Sequence, residues 1–346
     1  MDWLDDKDKI IEGAFAECYL KMHPMICIHG ILFTIDGIVS DESGIKNDIY
    51  SMVRPYVTSG LARKVEQLLQ TIKLEAYSEP LPLQTDRIHV ANGTLFLNGE
   101  FSEQKDFCLN RLPVIYDPDV EKPARWLKFM EELLNPDDIL TLQEYMGYML
   151  LPTTKAQKMM LIIGKGGEGK SRIGRVLREL FGNNMYSCSL QKIEVDKFAR
   201  ANLEYMLITV DDDMKLEALP QTNHIKSIVT LEDQIDLERK GQQSFQGVVY
   251  ARLIAFGNGG LHALYDKTDG FYRRQLILTT KDKVDGREDD PYLIDKLRKE
   301  RDGIFLWALE GLQRLVSNNY VFTESVDAKQ NLVDAQEEGN NILAFM

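Results

Sequence analysis

The densest chemistry in this sequence is an eight-residue run, Gly164-Lys165-Gly166-Gly167-Glu168-Gly169-Lys170-Ser171. Its spacing, GxxxxGK[ST], is that of a loop that holds phosphates. Glycines let backbone N–H groups turn inward around phosphate oxygens. A helix opening at 170–171 adds favourable partial charge. Lys170 would neutralise β- and γ-phosphate charge, and the Ser171 hydroxyl would ligate Mg²⁺. The alternative is a plain glycine-rich turn. Context argues against it, because the apolar run KMMLII precedes the loop and SRIGRVLRELFG follows with helical spacing.

A phosphate loop needs an acidic partner on a nearby strand. The run YMLITV (205–210) ends in Asp211-Asp212-Asp213. Carboxylates at the C-terminal edge of a parallel strand stand in the usual ligand crevice. One would hold Mg²⁺ and a neighbour would polarise the attacking water. Side chains alternate along a strand, so all three cannot face one site. After the next strand comes Gly257-Asn258-Gly259, where Asn258 either contacts the γ-phosphate or serves the turn. Arg273-Arg274 directly precede QLILTT (275–280). One of them is a candidate to reach a nucleotide held by a neighbouring subunit. Between the aspartates and Asn258, DQIDLERKGQQSFQGV reads as a hairpin with Arg239-Lys240-Gly241 at its tip. A basic tip suits a phosphate backbone. Lys226 is a weaker candidate near the nucleotide, as Asp211 is among the acids. His224 and His262 have no ligand-spaced partners, and Trp126 and Trp307 read as core residues.

The elements that must position these residues fall into three expected segments. Residues 1–150 read as mostly helical with a small β-hairpin. HGILFTIDGIVS is a short hairpin or buried strand, and RIHVANGTLFLNGEF is a strand pair around Asn92-Gly93. Asn135 or Asp137 is placed to cap a helix. Residues 151–285 alternate apolar runs (KMMLIIG, YMLITV, VVYARLIAFG, QLILTT) with helical stretches, which predicts an α/β domain around a mainly parallel sheet. Residues 286–346 supply closing helices and a polar tail.

Composition sets the class. The chain has 346 residues, 44% apolar and 27% charged, which excludes a disordered or collagen-like protein. No 18-residue apolar run predicts a membrane span. The acidic start MDWLDDKDKI does not read as a secretory signal. Cys18, Cys27, Cys108 and Cys188 stand far apart, which fits a reducing compartment. The histidines form no zinc-spaced cluster. The net charge of -13 argues for modest DNA affinity from one isolated chain. Residues 151–300, however, are near neutral, with 24 basic and 22 acidic side chains, so converging lysines could still bind phosphates.

The order of these motifs resembles superfamily 3 helicases, in particular the primase-associated type of phages, plasmids and poxviruses. IIGKGGEGKS resembles the family's Walker A loop and ITVDDDM its Walker B strand, which points to Asp212 and Asp213. IKSIVTLEDQIDLERK resembles the motif that supplies a DNA-contacting pore hairpin. IAFGN resembles the sensor motif, and GFYRRQLIL the arginine-finger segment. The ATPase resemblance covers about 155–280. With HVANGTLFL, YDPDVEKPARWLKFMEELL, LQEYMGYML and PYLIDKLRKERDGIFLWALEGLQRLV it extends over about 88–320. One departure is Thr230-Leu231-Glu232-Asp233, where the family often has Gly-Gly-Asp.

The resemblance implies an AAA+-like P-loop ATPase with a five-stranded sheet, preceded by a helical domain. It implies ATP and Mg²⁺ as cofactors, a homo-hexameric ring, and single-stranded DNA as partner, in the cytoplasm of a bacterial host. A primase or initiator is an expected replication partner. Gly164–Ser171, Asp212 and Asp213 would come from one subunit, and Arg274 or Arg273 from the next. No primase domain fits in the first 87 residues; a full-length protein could carry one before residue 1. The ending LAFM is read as a sign of a longer protein. Two rival functions stay open. One is an initiator or loader that melts origin DNA. The other is a non-motor scaffold that uses nucleotide as a switch.

Overall fold

The computed structural model describes residues 2–215, 217–230, 234–241, 243–264, 266, 269–283 and 290–342. Leu231-Glu232-Asp233, the 285/286 boundary and the final LAFM lie outside the described residues. The chain divides into two compact units, 1–83 with 103–111, and 84–102 with 112–346.

The first unit contains α1 (Glu12–Met22), β1 (Met25–Ile28), β2 (Ile31–Thr34), β3 (Gly37–Ile38), α2 (Ser43–Val53) and α3 (Leu61–Glu75). HGILFTIDGIVS therefore forms a hairpin. Its β1–β2 turn is the two-residue His29-Gly30, both at positive φ, which matches strand twist. Val65, Leu68, Leu69 and Ile72 recur on one face of α3 and pack with Phe15, Leu32 and Ile49.

The second unit opens with an antiparallel sheet of β4 (Arg87–Val90), β5 (Gly93–Phe96) and β6 (Phe101–Ser102). Its first turn is Ala91-Asn92, one residue earlier than expected, because Gly93 already pairs with Val90. A Cβ on Gly93 would lie 2.1 Å from the Ser102 carbonyl oxygen. Next come α4 (Ala124–Leu133) and α5 (Pro136–Tyr148). Asn135 precedes α5 without a side-chain capping bond, and its amide donates to Asp327 instead.

The central sheet is built from β7 (Met159–Ile163), β8 (Met185–Ser187), β9 (Ile208–Met214), β12 (Arg252–Gly257) and β13 (Gln275–Thr279). The small hairpin β10 (Ile235–Leu237) and β11 (Phe245–Gly247) lies between β9 and β12 in sequence. The strand order is β13-β7-β12-β9-β8, and every neighbouring pair is parallel. Helices fill the remaining connections: α6 (Ser171–Phe181), α7 (Leu190–Val195), α8 (Lys197–Ala201), α9 (Asn223–Thr230) and α10 (Asp269–Tyr272). After the sheet come α11 (Leu293–Lys299), α12 (Arg301–Ser317) and α13 (Val326–Ile342).

Both faces of the sheet are covered, as a parallel sheet requires. Met160, Ile162, Ile254, Phe256 and Leu278 pack with the core under α4, α5, α6 and α12. The alternate residues Met159, Leu161, Leu253, Ala255 and Ile277 pack with the core under α7, α9 and α10. The α/β class and the four longer parallel strands follow from these apolar runs. Two details differ from the sequence expectation. Strand β9 starts at Ile208 and runs through the aspartates to Met214, because Asp211 still pairs with Ala255. The fifth strand, β8, has three residues and no apolar run of its own.

Residues 84–102 and 112–150 belong to the second unit, so the compact units divide differently from the expected 1–150 segment. Ile88, Val90 and Leu95 join the same core as α4, α5 and α12, and α5 packs closely on α12. A Cβ on Gly147 would lie 2.3 Å from Leu312 N, and one on Gly311 would lie 2.2 Å from the Gln143 carbonyl oxygen. Trp126 of α4 meets Trp307 of α12 edge-on, with ring centroids 5.5 Å apart. No helix of the described residues is long and apolar enough to cross a membrane.

Candidate functional site

In a parallel sheet, the loops after successive strands emerge at one edge. The loops that follow β7, β9 and β12 thus share a crevice at their C-terminal ends. A cleft of about 650 Å³ occupies that crevice. This is the size range of cofactor and small-ligand pockets.

The phosphate loop forms its floor. Gly166, Gly167 and Gly169 have φ of 109°, 83° and 106°, a region that L side chains rarely enter. Gly164 has a different reason. A Cβ there would lie 2.0 Å from Thr280 Oγ1, and its N–H donates to the Gly257 carbonyl at 3.1 Å. Helix α6 opens at Ser171, so its first N–H groups and Ser171 itself face the cleft. Gly167, Glu168, Gly169, Lys170 and Ser171 all line the cleft. Lys165 does not. It points into solvent and pairs with Asp282 at 2.8 Å, which raises its pKa.

Lys170 is 8% exposed and donates from Nζ to Glu168 Oε2 at 2.9 Å. Glu168 Oε1 accepts the Gly166 N–H at 2.7 Å. Burial pushes the Glu168 carboxyl upward. The Lys170 ion pair and the loop N–H groups outweigh that and hold it below its ordinary value.

The three aspartates separate by direction. Asp211 is buried and accepts the Leu190 N–H at 2.9 Å, where it fixes the start of α7. Burial raises its pKa. Asp212 and Asp213 both line the cleft. The pairing of β9 with β12 shifts register between Ala255 and Gly257, and such an irregularity lets neighbouring side chains share one side. Solvent reaches Asp212 through the cleft, but the protein around it still raises its pKa by desolvation. Arg175 and Arg178 pull in the opposite direction. Asn258 also lines the cleft, at the tip of β12.

The donor set suits Mg²⁺. Asp212 Oδ1 lies 2.6 Å from the position a Cβ would take on Gly174, one helical turn beyond Ser171. A glycine therefore leaves a cradle in which this carboxylate rests against α6, on the helix face that Gly174 shares with Ser171. No cluster of three or more His, Cys, Asp or Glu residues suited to a metal occurs among the described residues. Mg²⁺ sites that also use substrate phosphates and water need only one or two protein ligands.

Other expected residues lie elsewhere. Arg273 and Arg274 precede β13, and the Arg274 carbonyl accepts the Met159 N–H at the start of β7. They stand at the sheet end opposite the cleft. Arg273 is exposed. Arg274 is half-buried, donates from Nη1 to the Gly270 carbonyl, and has its pKa lowered by burial and by Arg273. Lys226 donates to Asp266 Oδ2 at 2.5 Å and does not line the cleft. The hairpin forms as β10–β11. At its tip Lys240 is exposed and Gly241 has φ of 77°. Arg239 is engaged differently. Its guanidinium pairs with buried Glu204 and lies 4.8 Å over the Phe245 ring, so it braces the hairpin.

The cleft also holds residues that sequence reasoning missed. Arg125, Lys128, Phe129 and Glu132 come from α4, Leu293 opens α11, and Asp290 lies just before it. Arg125 Nη1 lies 3.7 Å from Glu132 Oε1. Their only advance signal was the Arg-x-x-Lys-Phe spacing, which reads equally as an ordinary amphipathic face.

A family of unknown function (DUF5906) matches residues 162–274, the span from β7 to Arg274. Among solved structures, the A form apo structure of the NrS-1 C-terminal region aligns at a TM-score of 0.59 and 11% identity. It covers 92% of this chain and 73% of that one. A second apo structure of the NrS-1 C-terminal region aligns at 0.56 and 11%, over 90% and 74%. A JCV helicase structure aligns at only 0.33 and 13%, over 62% and 59%, and carries no weight. At such identities the NrS-1 likeness is one of fold, and it extends over nearly the whole chain.

Proposed function

We propose that this chain is the motor part of an ATP-driven DNA helicase or translocase of the superfamily 3 kind, working as a ring on single-stranded DNA. The observation that carries the reading is the single cleft shared by Lys170, Ser171, Asp212, Asp213 and Asn258. Its phosphate loop accounts for nucleotide binding, and its acidic pair and amide account for hydrolysis.

In this reading the loop N–H groups and Lys170 hold the β- and γ-phosphates. Ser171 and Asp212 would hold Mg²⁺, which when bound neutralises phosphate charge and keeps the triphosphate in line. Asp213 takes the proton of the attacking water, and Asn258 orients that water against the γ-phosphate. Arg273 or Arg274 of a neighbouring subunit supplies the last positive charge. Lys240 carries the motion of the hairpin to a DNA phosphate.

The test is ATP hydrolysis with and without single-stranded DNA, at low salt and over a range of protein concentrations, with Lys170→Ala as the blank. The expected result is turnover that DNA stimulates and that rises faster than linearly with protein. Activity that is Lys170-dependent but indifferent to DNA would overturn the motor reading in favour of a nucleotide-operated switch. Activity equal in the Lys170→Ala blank would overturn the nucleotide site.

A further inference from the structure

Glu168 sits inside the phosphate loop with its carboxylate turned toward the donors that the reading above assigns to phosphate. Lys170 Nζ donates to Oε2 at 2.9 Å, and the Gly166 N–H donates to Oε1 at 2.7 Å. Its carboxyl carbon lies 3.3 Å from the position a Cβ would take on Gly164, and Lys170 Nζ lies 3.1 Å from the same point. Glu168 is 3% exposed, so this is an interior contact and not a surface ion pair.

A carboxylate and a phosphoryl group are the same kind of acceptor, two or three oxygens sharing negative charge. A backbone N–H has one proton to give. The Gly166 donor therefore cannot serve Glu168 and a phosphate together, and the Lys170 ammonium would face two anions of like charge.

We propose that Glu168 is a resident anion that occupies the phosphate seat, and that it must swing out before a nucleotide can bind. The proposal rests on the nucleotide-site reading and adds a residue that controls entry to it. The contact has a physical purpose. Without an anion beside it, the nearly buried Lys170 ammonium would be a desolvated charge with no counter-ion. Glu168 compensates that charge when the seat is not filled by phosphate. It does so at the expense of affinity, because the nucleotide binds only the fraction of molecules whose Glu168 is turned away. A second consequence is kinetic. When opening precedes binding, the observed binding rate levels off at the opening rate as ligand rises.

The experiment compares wild type, Glu168→Gln and Glu168→Ala, with Lys170→Ala as the blank. Equilibrium binding of Mg-ADP gives affinity, and stopped-flow with a fluorescent ADP gives rate against concentration. Glu168→Gln keeps the side-chain shape, so a folding defect in the alanine variant does not decide the outcome. The expected result is ADP binding about tenfold tighter in both variants. The rate levels off with ADP in wild type and rises linearly in Glu168→Ala. Affinity unchanged or weaker in both variants, with wild-type binding still dependent on Lys170, overturns the proposal and leaves the nucleotide site standing. Tighter binding with linear kinetics in all three proteins also overturns it, since Glu168 would then repel nucleotide without occupying its seat. Absence of Lys170-dependent binding in every protein removes the nucleotide-site reading and the proposal together.

Discussion

Gly174 decides how close Asp212 comes to the phosphate loop. A glycine inside a helix ordinarily costs about 1 kcal/mol relative to alanine. Here the missing Cβ leaves the space that Asp212 Oδ1 fills at 2.6 Å, with the Phe256 ring edge at 3.4 Å on the same side. Alanine would push the carboxylate outward while suiting the helix. Gly174→Ala is therefore expected to retain or slightly gain thermal stability and to lose ATP turnover by about 100-fold, the scale of a displacement near 1 Å at a catalytic group. Melting temperature and turnover measured on the same preparation check this. Normal turnover would mean that Asp212 does not need its position against α6. A companion pair separates the neighbouring acids. Asp212→Asn is expected to lose metal-dependent hydrolysis, whereas Asp211→Asn should leave the cleft's charge untouched and act on the start of α7, where Asp211 accepts from Leu190.

At the scale of elements, the β10–β11 hairpin divides its two basic residues between two jobs. Arg239 is tied to Glu204, whose side chain is fully buried, and Lys240 stands exposed at the tip. Arg239→Ala would strip a buried carboxylate of its guanidinium, a loss of about 3 kcal/mol for a buried pair. Any DNA defect it causes would therefore mix with instability. Among the described residues Lys240 makes no such pair. Lys240→Ala is expected to abolish strand displacement and DNA stimulation while leaving basal hydrolysis within about twofold, since rim charges contribute to nucleic-acid contact and little to stability. Strand displacement that survives Lys240→Ala would remove the hairpin from the DNA path. The same hairpin shows what was legible in the sequence. Its turn chemistry is local, so the tip at Arg239-Lys240-Gly241 could be read in advance. The strand, glycine loop and helix around Lys170 were legible for the same reason, since they need only neighbours in sequence. Glu204 lies 35 residues before Arg239, and no local pattern announces that pair. The α4 wall of the cleft lies about forty residues before the loop it faces. Long-range packing brings α4 there: Trp126 meets Trp307 of α12, and the Arg125 and Trp126 N–H groups donate to the Glu300 carboxylate just before α12. Strand β8 has three residues, too few to show a period.

On the scale of the whole molecule, the cleft has its loop, acids and amide in one chain, but Arg273 and Arg274 stand at the far end of the sheet. Strands in a parallel sheet have their starts on one edge and their ends on the other, so no small rearrangement brings either arginine to its own cleft. If Arg273 or Arg274 completes the site, it must come from another copy. The two differ in readiness. Arg274 is half-buried and spends Nη1 on the Gly270 carbonyl, whereas Arg273 is exposed. The geometry thus favours Arg273 as the residue that reaches across. With a net charge of -13, copies also repel at long range, so assembly should need nucleotide or DNA and should vary with salt. Arg273→Ala alone is expected to cut hydrolysis by about 1,000-fold, the lower end for an arginine finger. Arg274→Ala should instead lower the melting temperature by loosening the turn before β13. Mixing decides whether the site is shared. Arg273→Ala subunits keep an intact Lys170, and Lys170→Ala subunits keep an intact Arg273. Where the two meet in the right order, one complete site forms. Activity should therefore return in the mixture, peaking near equal proportions, although each variant alone is nearly inactive. A mixture as inactive as its components at every ratio, under conditions where the wild type shows cooperative turnover, would rule out an arginine donated between neighbours.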